Sequence, residues 1–310
     1  MFKNNIDIKK LPENNIVRVG SKRQTAELIE KFYTKNPFPN YEDCETVYDI
    51  ENKAQRNKVL ASLKRSVGWR KKIIEVGSGT SQLSIALAIG TNNDIVAFDA
   101  TLESLKLGAA FTERHGIGNC IFVNGDLLSD PFLEDYFDIV WCSGVLHHTE
   151  SAKEGFKTII KWVKPDGYVI IGLYNLYGRM RTVFRQNLYR LLGKSHLGRS
   201  LVSLLDPALR KRISESRRRA WFQDQYENPV ESLHTLDEVL QWFDTNGVEF
   251  ISSVPACDAG SVDYENIFSK QSRGNWVTRF LAQIFMLFSP SGTEGGLFLV
   301  VGKKLNPRKS

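Results

Sequence analysis

The chain predicts an α/β fold: a doubly wound, mostly parallel sheet of seven strands with helices on its faces. Three observations lead there. Five short, apolar, β-branched runs lie at KIIEV (72–76), DIVAF (94–98), CIFV (120–123), DIVWC (138–142) and YVIIGLY (168–174), the type of segment buried on both faces of a parallel sheet. Helical patterns separate them, which makes a βαβ series. The 310 residues are 42% apolar, enough to build one sizeable core.

Taken in order, residues 1–68 read as a helical N-terminal extension or lid, and 69–175 as the central binding core. LSIALA (83–88) follows the first strand and LESLKLGAAF (102–111) the second. Ser151 and Glu154 form a capping-box pattern opening a helix whose Phe156, Ile159, Ile160 and Val163 share a face. Pro165-Asp166-Gly167 turns the chain into the fifth strand. Residues 176–235 are too long for an ordinary connection and read as a cap insertion, with Met180, Val183, Phe184, Leu188 and Leu191 at helical spacing. Thr235 and Glu238 repeat the capping-box pattern before LDEVLQWFDTN and Gly247. VEFISSV (248–254) and GLFLVVGK (296–303) supply strands six and seven within 236–304, with pairing direction open, and 305–310 is a tail.

Composition excludes several classes. The formal charge of +6, from 41 Lys and Arg against 35 Asp and Glu, is a mild excess that names no partner. Four cysteines, at 44, 120, 142 and 257, include no CxxC pair, so reduced thiols are expected and neither a disulfide framework nor a metal site. MFKNNIDIKKLPENN has no apolar run of the secretory kind, and WVTRFLAQIFMLF (276–288) is far short of the roughly 20 apolar residues of a membrane span. The expected location is cytoplasmic. No repeat of solenoid or propeller length is present.

The chemistry-bearing motif follows the first strand: Glu75-Val76-Gly77-Ser78-Gly79-Thr80-Ser81-Gln82, leading directly into a helix. Glycines there allow a tight turn and close backbone approach to a ligand, although a ligand-free strand-to-helix turn uses the same residues. Asp99 ends the second strand 22 residues after Gly77, where a carboxylate can accept from both hydroxyls of a ribose. Gln82 stands where a dinucleotide fingerprint requires its third glycine, which disfavours a nicotinamide dehydrogenase.

The spacing instead resembles E/D-x-G-x-G-x-G, the first motif of class I S-adenosylmethionine-dependent methyltransferases. DIVAFDATLESLKLGAA (94–110), NGDLLSDPF (124–132), FDIVWCSGVLHHTE (137–150) and WVKPDGYVIIG (162–172) resemble that family's second to fifth motifs, so the likeness covers residues 72–174. One departure is Ser81 at the third glycine. The resemblance implies a Rossmann-like methyltransferase fold with S-adenosylmethionine as cofactor. By position it implies that Glu75, Gly77, Ser78 and Gly79 hold the methionine moiety, Asp99 with Ala100 the ribose, Asp126 and Leu127 the adenine, and that Ser143 lies near the methionine end.

Displacement at a sulfonium methyl needs alignment rather than a metal or a covalent intermediate. Where the nucleophile is a hydroxyl or amine, a base must take its proton, and His147 and His148 stand at the sheet's C-terminal edge with His148 at the position of the family's common histidine. A structural role for either histidine is the alternative. Tyr41, in the aromatic and proline-rich stretch 32–41, Tyr174, Asn175, Tyr226 and His234 are the substrate-side candidates, with Asp224 and Glu231 beside them. NPFPNY and YENPVESLHT also resemble segments of small-molecule methyltransferases.

Between 179 and 219 twelve Lys and Arg face only Asp206 and Glu215, a net +10. A solvated face, a site for an anionic substrate or membrane surface, and an RNA-contacting arm all fit such a run, though few aromatics interleave with it. The apolar stripe within 276–288 reads as core or a dimer face more readily than as a lipid contact. The expected function is methyl transfer to O, N or C of a small-molecule acceptor, anionic molecules included. An RNA (tRNA) methyltransferase gripping through 179–219 and a non-catalytic S-adenosylmethionine-binding protein are the alternatives.

Overall fold

A computed structural model describes residues 1–11, 15–34, 45–193, 195–210, 214–258, 264–288 and 296–306. The elements begin with β1 (Ile8–Lys10), β2 (Val17–Val19), α1 (Gln24–Thr34), α2 (Val47–Arg56) and α3 (Lys58–Ser66). The core continues with β3 (Lys72–Val76), α4 (Gln82–Ala88), β4 (Asp94–Asp99), α5 (Leu102–Arg114), β5 (Cys120–Asn124), β6 (Phe137–Ser143), α6 (Ala152–Trp162) and β7 (Val163–Tyr174). The insertion carries α7 (Met180–Leu191), α8 (His196–Leu205), α9 (Pro207–Arg210) and α10 (Glu215–Tyr226). The chain closes with α11 (Leu236–Thr245), β8 (Val248–Val254), α12 (Trp276–Phe288) and β9 (Leu297–Lys304).

The strands form one sheet in the order β1-β2-β5-β4-β3-β6-β7-β9-β8. From β2 to β7 all neighbours are parallel, while β9 runs antiparallel to both β7 and β8. The seven strands expected form the centre and one edge. The other edge departs from the helical extension read from 1–68: β1 pairs antiparallel with β2, and β2 pairs in parallel with β5 through Val17 to Val123. Alternation in these three-residue strands is too short to register as a pattern.

Each central strand buries both faces, as its apolar run requires. Ile74 and Val76 join Val96, Phe98, Val140, Phe156, Trp162 and Phe243 in one layer, and Ile73 joins Ile95, Ile139, Ile170 and Val301 in the opposite one. Phe156 of α6 stacks on Phe243 of α11 at 5.6 Å. Removing such a fully buried ring costs about 3–5 kcal/mol, so this contact ties the C-terminal strands to the core.

Local signals were satisfied with two revisions. The hydroxyls of Ser151 and Thr235 accept from the N–H groups of Glu154 and Glu238. The reciprocal half of each box is replaced, because Glu154 pairs with Lys157 and Glu238 meets the His234 ring, partners within one helical turn. Pro165-Asp166-Gly167 is an irregularity inside β7, which begins at Val163; Asp166 adopts φ +63°, and the pairing with β6 shifts there.

β3 and β6 are sequence-distant neighbours, with β4 and β5 running away on one side and β7 on the other. The crevice at their C-terminal ends is the topological switch point, where open α/β sheets bind ligands.

Candidate active site

The turn after β3 is held by its own backbone. Gly77 and Ser78 donate their N–H groups to the Phe98 carbonyl at 2.7 and 3.1 Å, and Gly77, Gly79 and Ser81 all have φ between +52° and +70°. At Gly77 the requirement for glycine is double: a Cβ would also lie 2.0 Å from Cγ2 of Val145 in the loop after β6. Ser81 takes the left-handed conformation of the missing third glycine, and its Oγ stands 3.1 Å from that of Ser78.

Around the turn lies a cavity of about 350 Å³. Glu75, Gly77, Ser78, Gly79, Asp99, Ala100, Asp126, Leu127 and Ser143 all line it. Glu75 is buried, and its Oε2 accepts from the backbone N–H and hydroxyl of Ser84 at 2.8 and 2.5 Å. Burial pushes its carboxyl up to about 8 against these bonds, and Oε1 has no partner among the described residues. Asp99 accepts from the N–H groups of Gly79 at 2.7 Å and Thr101 at 2.6 Å. Burial nonetheless raises its pKa above the ordinary carboxylate value. Asp126 accepts from Leu128 N–H at 2.9 Å and from Arg23 N–H at 3.1 Å, which fastens the start of α1 to the cavity rim.

Beyond Val145 the walls become His148, Tyr174, Trp221, Asp224, Gln225 and Leu297, with Ala26, Ile29 and Tyr33 of α1 above. The Tyr33 hydroxyl donates to Asp224 at 2.6 Å, and burial together with that carboxylate raises its pKa well above 10. Gln225 donates to both Asp224 and the Tyr174 hydroxyl. Behind this wall Arg179 is fully buried and makes a two-pronged contact to Glu231 at 2.9 and 2.6 Å. Its guanidinium lies 3.4 Å from the centroid of the Tyr174 ring and donates to Gln225. Burial opposes the Arg179 charge, but the hydrogen bonds to Glu231 together with the nearby Tyr174, Glu231 and Asp224 outweigh it and the pKa is raised.

The two histidines diverge. Nδ1 of His148 meets the Val230 carbonyl at 2.6 Å; a carbonyl only accepts, so Nδ1 carries the proton and Nε2 keeps its lone pair on a residue of the cavity wall. Burial lowers the pKa of His148, partly offset by Asp224, so the ring is neutral at pH 7. His147 cannot serve as the expected base: it is buried between His148 and Tyr174, its ring nitrogens have no partner among the described residues, and it is not among the described residues that line the cavity.

Three substrate-side expectations are corrected as well. Asn175 accepts from the N–H groups of Tyr177 and Gly178 and donates to Gln283, bracing the turn into the insertion. Tyr226 donates to Asp206 and packs on Phe222 inside the insertion. His234 bridges Ser232 and Glu238 and faces Trp242. Tyr174 does reach the cavity, and Tyr41 lies outside the described residues. Sequence reading gave Tyr33 no role of its own, though Ala26, Ile29 and Tyr33 recur at helical spacing ahead of the core.

The cavity suits a ligand with cationic groups. Among the described residues Glu75, Asp99, Asp126, Glu150 and Asp224 line it against Arg23 alone, the size is in the range of small-molecule sites, and Oε1 of Glu75 offers an acceptor beside the glycine turn.

A switch-point sheet in which β2 to β7 run parallel, with an acidic strand end and a glycine turn, is the class I S-adenosylmethionine-dependent methyltransferase fold. The family model of the methyltransferase domain matches residues 70–226, half of the chain, and the protein belongs to that family. It is 26% identical over 133 residues to the uncharacterized methyltransferase YcgJ of Bacillus subtilis, covering 43% of this chain and 52% of that protein. It is 27% identical over 165 residues to a demethylmenaquinone methyltransferase of Renibacterium salmoninarum, covering 49% and 65%. The chain thus spans about half to two thirds of the length of the curated relatives it matches. Among solved structures, PKMT2 from Rickettsia typhi in complex with AdoHcy superposes with a TM-score of 0.56 at 13% identity, covering 82% of this chain and 53% of that one, a likeness of fold.

Proposed function

We propose that the protein transfers the methyl group of S-adenosylmethionine to an O, N or C atom of a neutral, largely apolar small molecule. The observation that carries the reading is one cavity that joins the glycine turn, Glu75, Asp99 and Asp126 at one end to His148 and Asp224 at the other. The bound cofactor would supply a methyl activated by attachment to a sulfonium. Glu75 would accept from its ammonium, Asp99 from the ribose hydroxyls, and Asp126 with the Leu127 backbone would meet the adenine edge. His148, neutral with Nε2 unprotonated, is placed to take a proton from an acceptor hydroxyl or amine. Ile29, Tyr33, Val145, Trp221 and Leu297 exclude water around the reacting atoms.

The excess of carboxylates argues against an anionic acceptor, revising that part of the sequence expectation. The described exposed arginines of the insertion do not line the cavity, so an RNA base entering it would find Arg23 alone among the described cationic groups. The relationship to demethylmenaquinone methyltransferases supports a small-molecule acceptor.

Calorimetric titration with S-adenosylhomocysteine is expected to show saturable binding, weakened at least about tenfold (1.4 kcal/mol) by Asp99→Ala, with no binding of NAD. Absence of binding by the full chain, or an unaffected Asp99→Ala, rejects the cofactor assignment. Turnover with any acceptor separates the enzyme from a cofactor-binding sensor. For an acceptor with an ionisable proton, kcat/KM is expected to fall on the acid side with a midpoint below 6.5, the ordinary imidazole value, because protonated His148 loses its lone pair. His148→Asn is expected to remove that limb and lower kcat by about 10²- to 10⁴-fold. A variant with wild-type kcat and pH profile would rule out this base.

A further inference from the structure

We propose that the outer face formed by α12 and the beginning of α7 docks onto an anionic lipid bilayer.

The helix α12 carries most of its exposed surface as apolar side chains. Its single buried residue is the polar Gln283, whose Oε1 accepts from Asn175 Nδ2 at 2.8 Å and from Leu236 N–H at 2.9 Å. Met286 packs against the core, but a stripe of large apolar side chains is exposed: Trp276 is 71% exposed, Phe285 65% and Phe288 64%, with Phe280 and Leu281 between them. A helix of a water-soluble surface shows the opposite arrangement. The outward stripe is not isolated, since Tyr177 meets Phe280 edge to face at 5.4 Å and Gly178 lies against Met286. Met180 and Phe184 continue the exposed apolar surface onto α7. Of the 22 exposed large apolar residues among those described, 14 lie within 176–205 or 276–288, a concentration that singly scattered surface residues do not explain.

Charge selects the occupant. Arg181, Arg190, Arg210, Arg218 and Arg219 of the neighbouring helices are exposed and form no ion pair among the described residues. The segment 179–219 as a whole carries +10. Exposed aromatic and leucine side chains together with exposed arginines of the insertion match the chemistry of acyl chains under anionic headgroups. A second copy would bring two such basic surfaces together and is disfavoured by repulsion. At 13 residues α12 is too short to cross a bilayer, and no described helix is long and apolar enough to do so, so the helix lies along the surface. Gln283 fixes α12 through its buried side to Asn175, the residue after Tyr174 of the cavity wall, so the helix that carries the docked face is fastened next to that wall.

Flotation of the full chain with phosphatidylcholine vesicles, with and without phosphatidylglycerol, tests this without any turnover. Binding is expected with phosphatidylglycerol, reduced at least about tenfold by high salt, by Phe285→Asp with Phe288→Asp, and separately by Arg218→Glu with Arg219→Glu. All these positions are exposed and none lines the cavity, so S-adenosylhomocysteine affinity and the melting temperature serve as fold controls and should not move. No binding to anionic vesicles, or equal binding by the folded apolar variant, overturns the proposal. So does a concentration-dependent dimer, seen by light scattering, that Phe285→Asp dissociates while vesicles bind nothing. These readouts are independent of the methyl-transfer reading, which stands or falls on cofactor titration.

Discussion

Arg179→Ala is expected to lower the unfolding free energy by about 3–5 kcal/mol. The guanidinium is fully buried, and its two-pronged contact to Glu231, itself largely enclosed, is the most desolvated ion pair described. Truncation strands the Glu231 carboxylate in a site with little water, and it also removes the cation lying 3.4 Å over Tyr174. Most of the loss comes from the unpaired charge rather than from the pair's net attraction. A second substitution, Glu231→Leu with Arg179→Met, is therefore expected to recover the greater part of the stability. Because Arg179 also donates to Gln225, which lines the cavity, the single variant should bind acceptor more weakly even where it remains folded. Denaturant titration of the three proteins is decisive: a loss below about 1 kcal/mol for Arg179→Ala would mean that water replaces the guanidinium.

Glu75→Gln is expected to act in opposite directions on stability and on binding. In the free protein the Glu75 carboxyl is pushed up to about 8 by burial, whereas in the unfolded chain it titrates near 4.5. Its contribution to stability is complete below 4.5 and is lost progressively as pH rises to 8, because the folded state there must hold a buried charge or a proton that the unfolded state has released. Glutamine keeps an oxygen for Ser84 and carries no charge. The variant should therefore match the wild type near pH 4 and exceed it by roughly 3 kcal/mol at pH 7. Cofactor affinity should move the other way, since a neutral amide cannot balance an ammonium. The wild type is expected to release close to one proton on binding at pH 7, seen as a dependence of calorimetric heat on buffer, and Glu75→Gln to release none. Melting curves at pH 5 and 8.5 that shift identically for both proteins would remove the assignment of the raised carboxyl to Glu75.

The fold was legible wherever the information is local. The runs at 72–76, 94–98, 120–123, 138–142 and 168–174 lie within β3 to β7, because strands buried on both faces must be apolar throughout. The antiparallel pair of β1 and β2 escaped, since three residues held at a sheet edge by pairing with β5 have no periodicity to display. The α12 stripe was read as core or a dimer face, yet only Gln283 of that helix is buried. Periodicity reports which residues share a face, not which way that face turns.

By itself, the sequence determined the strand-turn-helix at Glu75–Gln82 and the carboxylates at strand ends, because backbone conformation at Gly77 and Gly79 and the apolar runs before them are demands of a few neighbouring residues. Tertiary structure alone decided which polar groups meet. It separated His148, with Nε2 on the cavity wall, from His147, sealed one residue away. It brought Tyr33 to Asp224 across 191 residues, and it turned Asn175, Tyr226 and His234 into braces of the scaffold. The physical reason is that a side chain's role depends on what covers it, and here the covering groups come from α1, the insertion and α12, elements distant in sequence whose packing no local pattern encodes.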